Sequence, residues 1–254
     1  MATRVYLLDM GTLMLDMSFV TWNHGQGIEY RFPVFAVYVD TGDKKVLLDT
    51  GFEKDWVERN LPFEKPEQSE DQTIVAQLAS IGVRPEEIDI VVNSHLHFDH
   101  CSGNRYFPGA QFIMSKTELR HAYVPDPWER LGYDKNLVEI PGGKFTLLPP
   151  LHGFEYEVAP GVSLIETPGH SEGHYSFVVR PTGEAPMVFP VDVAYNPHNL
   201  YNKVLMGLHS DPRELLESMY KIENLTQKIG GRIFFSHDPE SFKGYKKAPE
   251  FYGE

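Results

Sequence analysis

A run of ten residues, Ser94 to Gly103, most constrains what this chain can fold into. Its sequence, SHLHFDHCSG, places four metal-binding side chains within six positions: His95, His97, Asp99 and His100. Imidazole and carboxylate groups together suit zinc, iron, manganese or nickel. Packing does not explain an H-x-H-x-D-H spacing, and a polar surface loop does not require one. The run therefore predicts a hydrolase built around two metal ions.

The overall composition is that of an ordinary globular protein. The 254 residues are 41% hydrophobic and 23% charged, so the chain can bury a large core. A net charge of −13 argues against nucleic acid or an anionic membrane as the main partner. Cys101 is the single cysteine, which excludes an intrachain disulfide and agrees with a reducing compartment. With no secretory signal or membrane span recognised, we expect a cytoplasmic protein.

Short apolar runs alternate with helical patterns along the chain. Residues 32–40 and 46–49 predict a hairpin around the turn at 41–44. The polar segment 52–70, which contains two prolines, is expected to run over the surface. Further strands are predicted at 4–9, 88–92, 111–114, 162–166, 175–180, 187–191 and 232–235, and shorter helices at 73–81 and 116–123.

The clearest helix is predicted at residues 212–229. Asp211 suits the N-cap, Pro212 suits the first helical position, and Gly230 suits the end.

Three more potential ligands follow apolar runs elsewhere in the chain: His170, Asp192 and His237. The first cluster also follows an apolar run, and a sheet can hold such loops still while their side chains face a site. Long stretches of sequence separate these positions, so a shared site requires the fold to bring them together.

The whole set, from His95 to His100 with the three later residues, resembles the metallo-β-lactamase superfamily. Within it the chain resembles the lactonase branch, which includes N-acyl homoserine lactonases and 4-pyridoxolactonase, over nearly its full length. Tyr195, three residues after Asp192, is typical of that branch. Segments 61–66 (LPFEKP) and 131–133 (LGY) most resemble the 4-pyridoxolactonase type.

The resemblance implies two divalent metal ions, with zinc as the first choice and iron, cobalt or manganese as alternatives. Side chains two apart on extended backbone share a face, which agrees with His95 and His97 holding one ion while His100 turns to the other. The implied ligands are His95, His97 and His170 for one ion, Asp99, His100 and His237 for the other, and Asp192 bridging both.

The implied reaction opens a lactone ring by attack of a bridging hydroxide, because two cations lower the pKa of a shared water. Tyr195 would donate a hydrogen bond to the carbonyl or oxyanion, and Asp99 would pass a proton to the leaving alkoxide. We interpret His174 as a support for the ligands. Trp22 and Phe63 are the candidates for the wall of the substrate pocket.

The implied fold is of the α/β class (α+β in some schemes), a four-layer αββα sandwich with the metals at the edge between its two sheets. We expect a single domain, 1–254, with two similar halves at roughly 1–150 and 151–254. The expected partner is a small-molecule lactone. The resemblance, together with a protruding segment 52–70 that would cover a neighbour, also suggests a homodimer.

Several functions stay open at this point. The substrate is either 4-pyridoxolactone, which the local resemblances favour, or an N-acyl homoserine lactone, which would make the protein a quorum-quenching enzyme. A thioesterase similar to glyoxalase II uses the same scaffold. A di-iron redox protein would carry a carboxylate in place of a histidine and an attached flavin domain, and neither is visible. A non-catalytic binding protein would lack a ligand, yet all seven positions are filled.

Overall fold

Two β-sheets form the centre of the protein in a computed structural model that describes residues 2–254. The first sheet contains six strands in chain order, antiparallel from the first to the third and parallel from the third onward. Its strands are β1 (Arg4–Asp16), β2 (Glu29–Asp40), β3 (Lys45–Leu48), β4 (Ile90–Val92), β5 (Gln111–Ser115) and β6 (Lys144–Leu148).

The second sheet contains five strands in the order β11-β10-β9-β8-β7 and is antiparallel except for the β10–β11 pair. All of its strands follow Leu148 in the chain, so each sheet comes from one part of the sequence. Its strands are β7 (Glu155–Ala159), β8 (Val162–Glu166), β9 (Tyr175–Val179), β10 (Met187–Phe189) and β11 (Arg232–Ile233).

Helices cover the outer faces of both sheets. The nine α-helices of the described residues are α1 (Met17–Val20), α2 (Lys54–Asn60), α3 (Ile74–Ser80), α4 (Phe98–Cys101), α5 (Lys116–Tyr123), α6 (Lys135–Val138), α7 (Pro197–Asn202), α8 (Pro212–Ile229) and α9 (Pro239–Lys243).

Three apolar cores separate the four layers. One core lies between the first sheet and α2, α3 and α6, a second lies between the two sheets, and a third lies between the second sheet and α8. Alternation along each strand produces this arrangement, because neighbouring side chains point to opposite faces. In β1, Leu7 enters the core between the sheets and Leu8 enters the helix-facing core. The predicted four-layer αββα sandwich is confirmed.

Segment 52–70 runs over the surface as predicted, but one face of it is buried. Helix α2 buries Trp56 and Val57 in the first core, and Leu61 follows them. The later part pairs with β1, and Gln68 Nε2 donates to the carbonyl of Met10 at 2.8 Å. Most of its polar residues lie on the outer face, whereas Glu64 is buried. This segment therefore packs on its own chain along one face, and the homodimer stays a prediction.

The predicted helix 212–229 matches α8 at both ends. Asp211 accepts hydrogen bonds from the backbone N–H groups of Arg213 and Glu214, and Gly230 ends the helix in the left-handed region at φ 63°. Among residues 2–254, no helix is both long enough and apolar enough to span a bilayer.

Candidate metal centre

All seven predicted ligand residues lie at one edge of the sandwich, where strands of both sheets end. The loop after β4 leads into α4, and the other three residues lie beyond the ends of β8, β10 and β11. The structure thus brings together side chains that are far apart in sequence. They are His95, His97, Asp99, His100, His170, Asp192 and His237.

Three histidines form the first half of the cluster. His97 Nδ1 lies 3.0 Å from His95 Nε2 and 3.0 Å from His170 Nε2. Burial lowers the pKa of all three rings, and that of His97 falls to about 3. The rings are therefore neutral at physiological pH, which is the state in which imidazole binds a metal ion.

Asp99, His100 and His237 form the second half. Asp99 Oδ2 lies 3.4 Å from His100 Nε2 and 3.7 Å from His237 Nε2. Burial alone would lower the pKa of both imidazoles, but the surrounding carboxylates outweigh it and raise both values. Negatively charged carboxylates therefore surround both rings, and such an environment suits a cation.

Asp192 lies between the two halves, with one carboxylate oxygen facing each. Its Oδ2 is 3.2 Å from His170 Nε2, while its Oδ1 is 3.3 Å from His100 Nε2 and 3.2 Å from His237 Nε2. His100 Nε2 and Asp192 Oδ1 are buried and make no hydrogen bond within the described chain. Buried polar atoms without partners are costly, so a ligand that satisfies them is expected.

The other ring nitrogens are held by fixed acceptors. His170 Nδ1 lies 3.0 Å from the carbonyl of Leu208, and His237 Nδ1 lies 2.9 Å from the carbonyl of Pro33. A donor Nδ1–H leaves the Nε2 lone pair to face the cluster, which is how proteins orient metal-binding imidazoles.

Asp49 performs the same task for His100. Its Oδ2 lies 2.9 Å from His100 Nδ1, and both oxygens accept hydrogen bonds from Ser94 at 2.7 Å. Asp49 itself adopts the left-handed conformation at φ 58°, which places its buried side chain behind the ligand loop. Asp and Asn tolerate this conformation better than other non-glycine residues.

Asp49→Asn is expected to weaken metal affinity about 10- to 100-fold, because an amide cannot accept the Ser94 and His100 hydrogen bonds together. The backbone should survive, since Asn also tolerates a positive φ. Metal competition with a chromogenic chelator measures the effect. Asp43→Asn, in the exposed hairpin turn, is the matched control. Equal affinities of the two variants would contradict the role given to Asp49.

Glu118 connects the two ligand loops. Its buried carboxylate accepts hydrogen bonds from the backbone N–H groups of Leu96 and Gly173, both at 3.0 Å, and one from Tyr133 Oη at 3.2 Å. Leu96 lies between two predicted ligands, and Gly173 lies in the loop after His170. One carboxylate on α5 thus fixes loops from both sheets.

His174 supports Asp192, as predicted. Its Nε2 accepts a hydrogen bond from the backbone N–H of Asp192 at 3.2 Å, and its Nδ1 lies 3.0 Å from Thr167 Oγ1. Both nitrogens are therefore used within the chain, and His174 has none left for a metal ion.

A cavity of about 350 Å³ opens directly above the cluster. Its wall is mainly apolar, and no lysine or arginine of the described chain lines it. Phe63 lines the cavity as predicted. Trp22 does not, although its ring packs on His209, which does. The apolar lining residues are Leu15, Phe19, Val20, Phe32, Leu61, Phe63, Phe98, Trp128, Leu131 and Leu208.

Two polar side chains join this wall beside the cluster. Tyr195 is buried, and its ring centroid lies 5.0 Å from that of His237. Burial raises the pKa of Tyr195 well above its ordinary value, so its hydroxyl keeps its proton. Burial, followed by the charge of Asp99, raises the pKa of Glu64 to about 8.

Sequence reasoning missed Asp49, Glu118 and Glu64. Asp49 and Glu118 act on distant residues through hydrogen bonds that no local pattern reveals. Glu64 lies in a segment that was predicted to be exposed. The signal that points to Asp49 is the segment LDTG at 48–51, directly after a predicted strand.

The structure thus defines an αββα sandwich with a histidine- and aspartate-rich centre beneath an apolar cavity. The chain belongs to the metallo-beta-lactamase superfamily, whose family model matches residues 30–237.

Its similarity to curated relatives extends over almost the whole chain. It is 31% identical to the N-acyl homoserine lactonase AttM of Agrobacterium fabrum over 258 residues, covering 98% of each. It is 30% identical to an N-acyl homoserine lactonase of Bacillus cereus over 256 residues, again covering 98% of each. The predicted resemblance to the lactonase branch is confirmed.

Solved structures show the same likeness. An N-acyl homoserine lactone hydrolase with N-hexanoyl-L-homoserine bound at its catalytic metal centre matches with a TM-score of 0.88. That match covers 99% of both chains at 28% identity.

Proposed function

We propose that this protein is a metal-dependent hydrolase that opens the ring of a lactone to give a hydroxy acid. The observation that carries the proposal is the set of seven ligand-type side chains converging beneath an apolar cavity. The N-acyl homoserine lactonases that match along 98% of the chain support it.

We propose that two divalent metal ions bind this centre, with zinc as the first choice. The residues fit such ions because imidazole nitrogens and carboxylate oxygens face a common space, and two of these atoms are buried without partners. When bound, the ions would lower the pKa of water towards neutrality and polarise an ester carbonyl. The proposed ligands are His95, His97 and His170 for one ion, Asp99, His100 and His237 for the other, and Asp192 for both.

Two side chains would orient the lactone and transfer a proton to it. We assign Tyr195 the hydrogen bond to the carbonyl oxygen, since its hydroxyl keeps its proton and lines the cavity. Asp99 lies at the cavity floor and is assigned the transfer of a proton to the ring oxygen. Hydrolysis adds the elements of water across the C–O bond, so the ring oxygen leaves as a hydroxyl group.

The apolar wall favours a lactone that carries an apolar substituent, such as an acyl chain. Phe63 and Trp128 are 59% and 67% exposed and line the cavity, so a substituent longer than the cavity would lie against them. Without lysine or arginine in the wall, a substrate with an anionic substituent finds no counter-charge. An N-acyl homoserine lactone meets these conditions, and its hydrolysis would make the protein a quorum-quenching enzyme.

4-Pyridoxolactone is the second candidate, for one specific reason. The two segments that most resemble the 4-pyridoxolactonase type contribute to the cavity wall. Leu61, Phe63 and Glu64 come from the first segment, and Leu131 and Gly132 from the second.

A parallel assay tests the proposal. We expect the purified protein to bind two metal ions per chain and to open its best lactone with a kcat/KM of at least about 10⁴ M⁻¹ s⁻¹, an ordinary enzyme value. The substrates are short- and long-chain N-acyl homoserine lactones, 4-pyridoxolactone and a glutathione thioester. Preference for the thioester, or no turnover of any lactone by metal-loaded protein, would contradict the proposal.

Organisation and location are further proposals. We propose that residues 1–254 act as one domain with two similar halves, supported by the sheets that divide the chain between Leu148 and Glu155. Cytoplasmic location is supported by the single buried cysteine. A homodimer is supported by the resemblance alone.

A further inference from the structure

Glu64 is a buried acidic residue on the wall of the substrate cavity. The proposed mechanism assigns chemical roles to Tyr195 and Asp99 but none to Glu64. It ends a 3₁₀ turn, Pro62–Glu64, and Lys65 follows in the left-handed conformation. The turn is fixed from outside, since Arg31 donates to the carbonyl of Lys65 at 3.2 Å. The position of the Glu64 side chain on the wall is therefore well defined.

The carboxyl group of Glu64 has no partner in the described chain. The residue is 7% exposed, yet it takes part in no side-chain hydrogen bond or ion pair among residues 2–254. Two basic residues at this turn pair with other acids: Lys65 with Glu29, and Arg31 of β2 with Glu67. The carboxyl group of Glu64 lines the cavity, so a group that arrives with the ligand is its natural partner.

Two other polar residues line the cavity, and each is partly used within the chain. Glu129 Oε2 lies 2.6 Å from His121 Nε2, while Glu129 Oε1 is buried and makes no hydrogen bond in the described chain. His209 Nδ1 lies 2.8 Å from the carbonyl of Met206. Glu64 is also near the reacting end, because the charge of Asp99 acts on it. A carboxyl group offers an acceptor oxygen in either protonation state. The Glu64 carboxyl group can therefore accept a hydrogen bond from a donor group next to the lactone ring.

Resting on the proposed function, we infer that Glu64 is a specificity-determining residue that accepts a hydrogen bond from an N–H or O–H group next to the lactone ring. Two substrate types carry such a donor: the amide of an N-acyl homoserine lactone, and the hydroxyl or protonated ring nitrogen of a pyridine lactone. A plain alkyl lactone carries none, and a lactone with a carboxylate there would be repelled.

Three substrates separate these cases: N-hexanoyl homoserine lactone, an α-alkyl-γ-butyrolactone of matched length without the amide, and 4-pyridoxolactone. The wild-type protein should prefer one of the two donor-bearing lactones over the alkyl lactone. Glu64→Leu should lower kcat/KM on the preferred lactone about 10- to 100-fold, mainly through KM, as expected for one lost hydrogen bond. Its activity on the alkyl lactone should change less than about threefold.

The variant Glu64→Gln keeps an acceptor oxygen without the charge. It should retain activity on the homoserine lactone within about fivefold, because the amide N–H still finds an acceptor. If the partner is a protonated pyridine nitrogen, the same variant should lose most of its activity on 4-pyridoxolactone. Glu70→Leu, an exposed position in the same segment, is the matched control.

Metal content and thermal unfolding are measured for every variant. Equal losses on donor-bearing and donor-free lactones, or no preference in the wild-type protein, would overturn the inference and leave the proposed function standing. If Glu64→Leu does not fold, Glu64→Ala, which also lacks the acceptor oxygen, is compared with the wild type on the three lactones by the same criterion. Failure of the metal-loaded wild type to open any of the three would contradict the proposed function itself.

Discussion

Asp192→Ala is expected to lower kcat/KM for lactone opening about 10³- to 10⁴-fold and to reduce the metal content below two ions per chain. Asp192 is the residue whose two carboxylate oxygens face both halves of the cluster, at 3.2 to 3.3 Å from three imidazole nitrogens. A metal ion acting on an ester carbonyl contributes several kcal/mol, and each 1.36 kcal/mol is about tenfold in rate. Losing one ion therefore removes a large part of the rate.

Metal content by mass spectrometry and initial rates on the best lactone measure this effect. Asp192→Asn keeps one oxygen ligand and should fall between the alanine variant and the wild type. Asp43→Ala, in the exposed turn, is the control for loss of a carboxylate far from the site. Two firmly bound ions and a normal rate in Asp192→Ala would refute the bridging position.

Tyr195→Phe should lower kcat about 10²- to 10³-fold, the usual cost of removing one hydrogen-bond donor aimed at a developing oxyanion. KM and metal content should stay close to the wild-type values, because the phenyl ring keeps its place against His237. The raised pKa of Tyr195 means that the donor is present at neutral pH.

Single-turnover and steady-state rates on the same lactone separate kcat from KM. Tyr201→Phe, an exposed position in α7, is the matched control. An unchanged kcat in Tyr195→Phe would show that the carbonyl oxygen is stabilised by other groups.

Much of the fold could be predicted from sequence where local signals are strong. Helix α8 has an N-cap aspartate, a proline in its first turn and a terminal glycine, and its predicted bounds agree with the structure. Strands β6 and β7 were missed. Exposed residues such as Phe145 and Glu155 break the alternation that reveals half-buried strands, because both strands lie at sheet edges.

The candidate site, like the fold, could be predicted from the sequence only in part. The seven ligand-type residues could be named because four of them form a dense motif and the others follow apolar runs. The residues that orient these ligands could not be named from the sequence. Asp49 and Glu118 contact loops that are 45 and 55 residues away along the chain, at Ser94 and Gly173. Such contacts exist only once the sheets have paired.

The carboxylate of Glu118 accepts hydrogen bonds from one loop of each half of the sandwich. The amides of Leu96 and Gly173 donate to the two oxygens of this carboxylate, so displacement of the Glu118 side chain would free both loops together. Local opening of the two loops through Glu118 would then be one cooperative event. If ions occupy the two proposed sites, such an opening would disturb both sites at once.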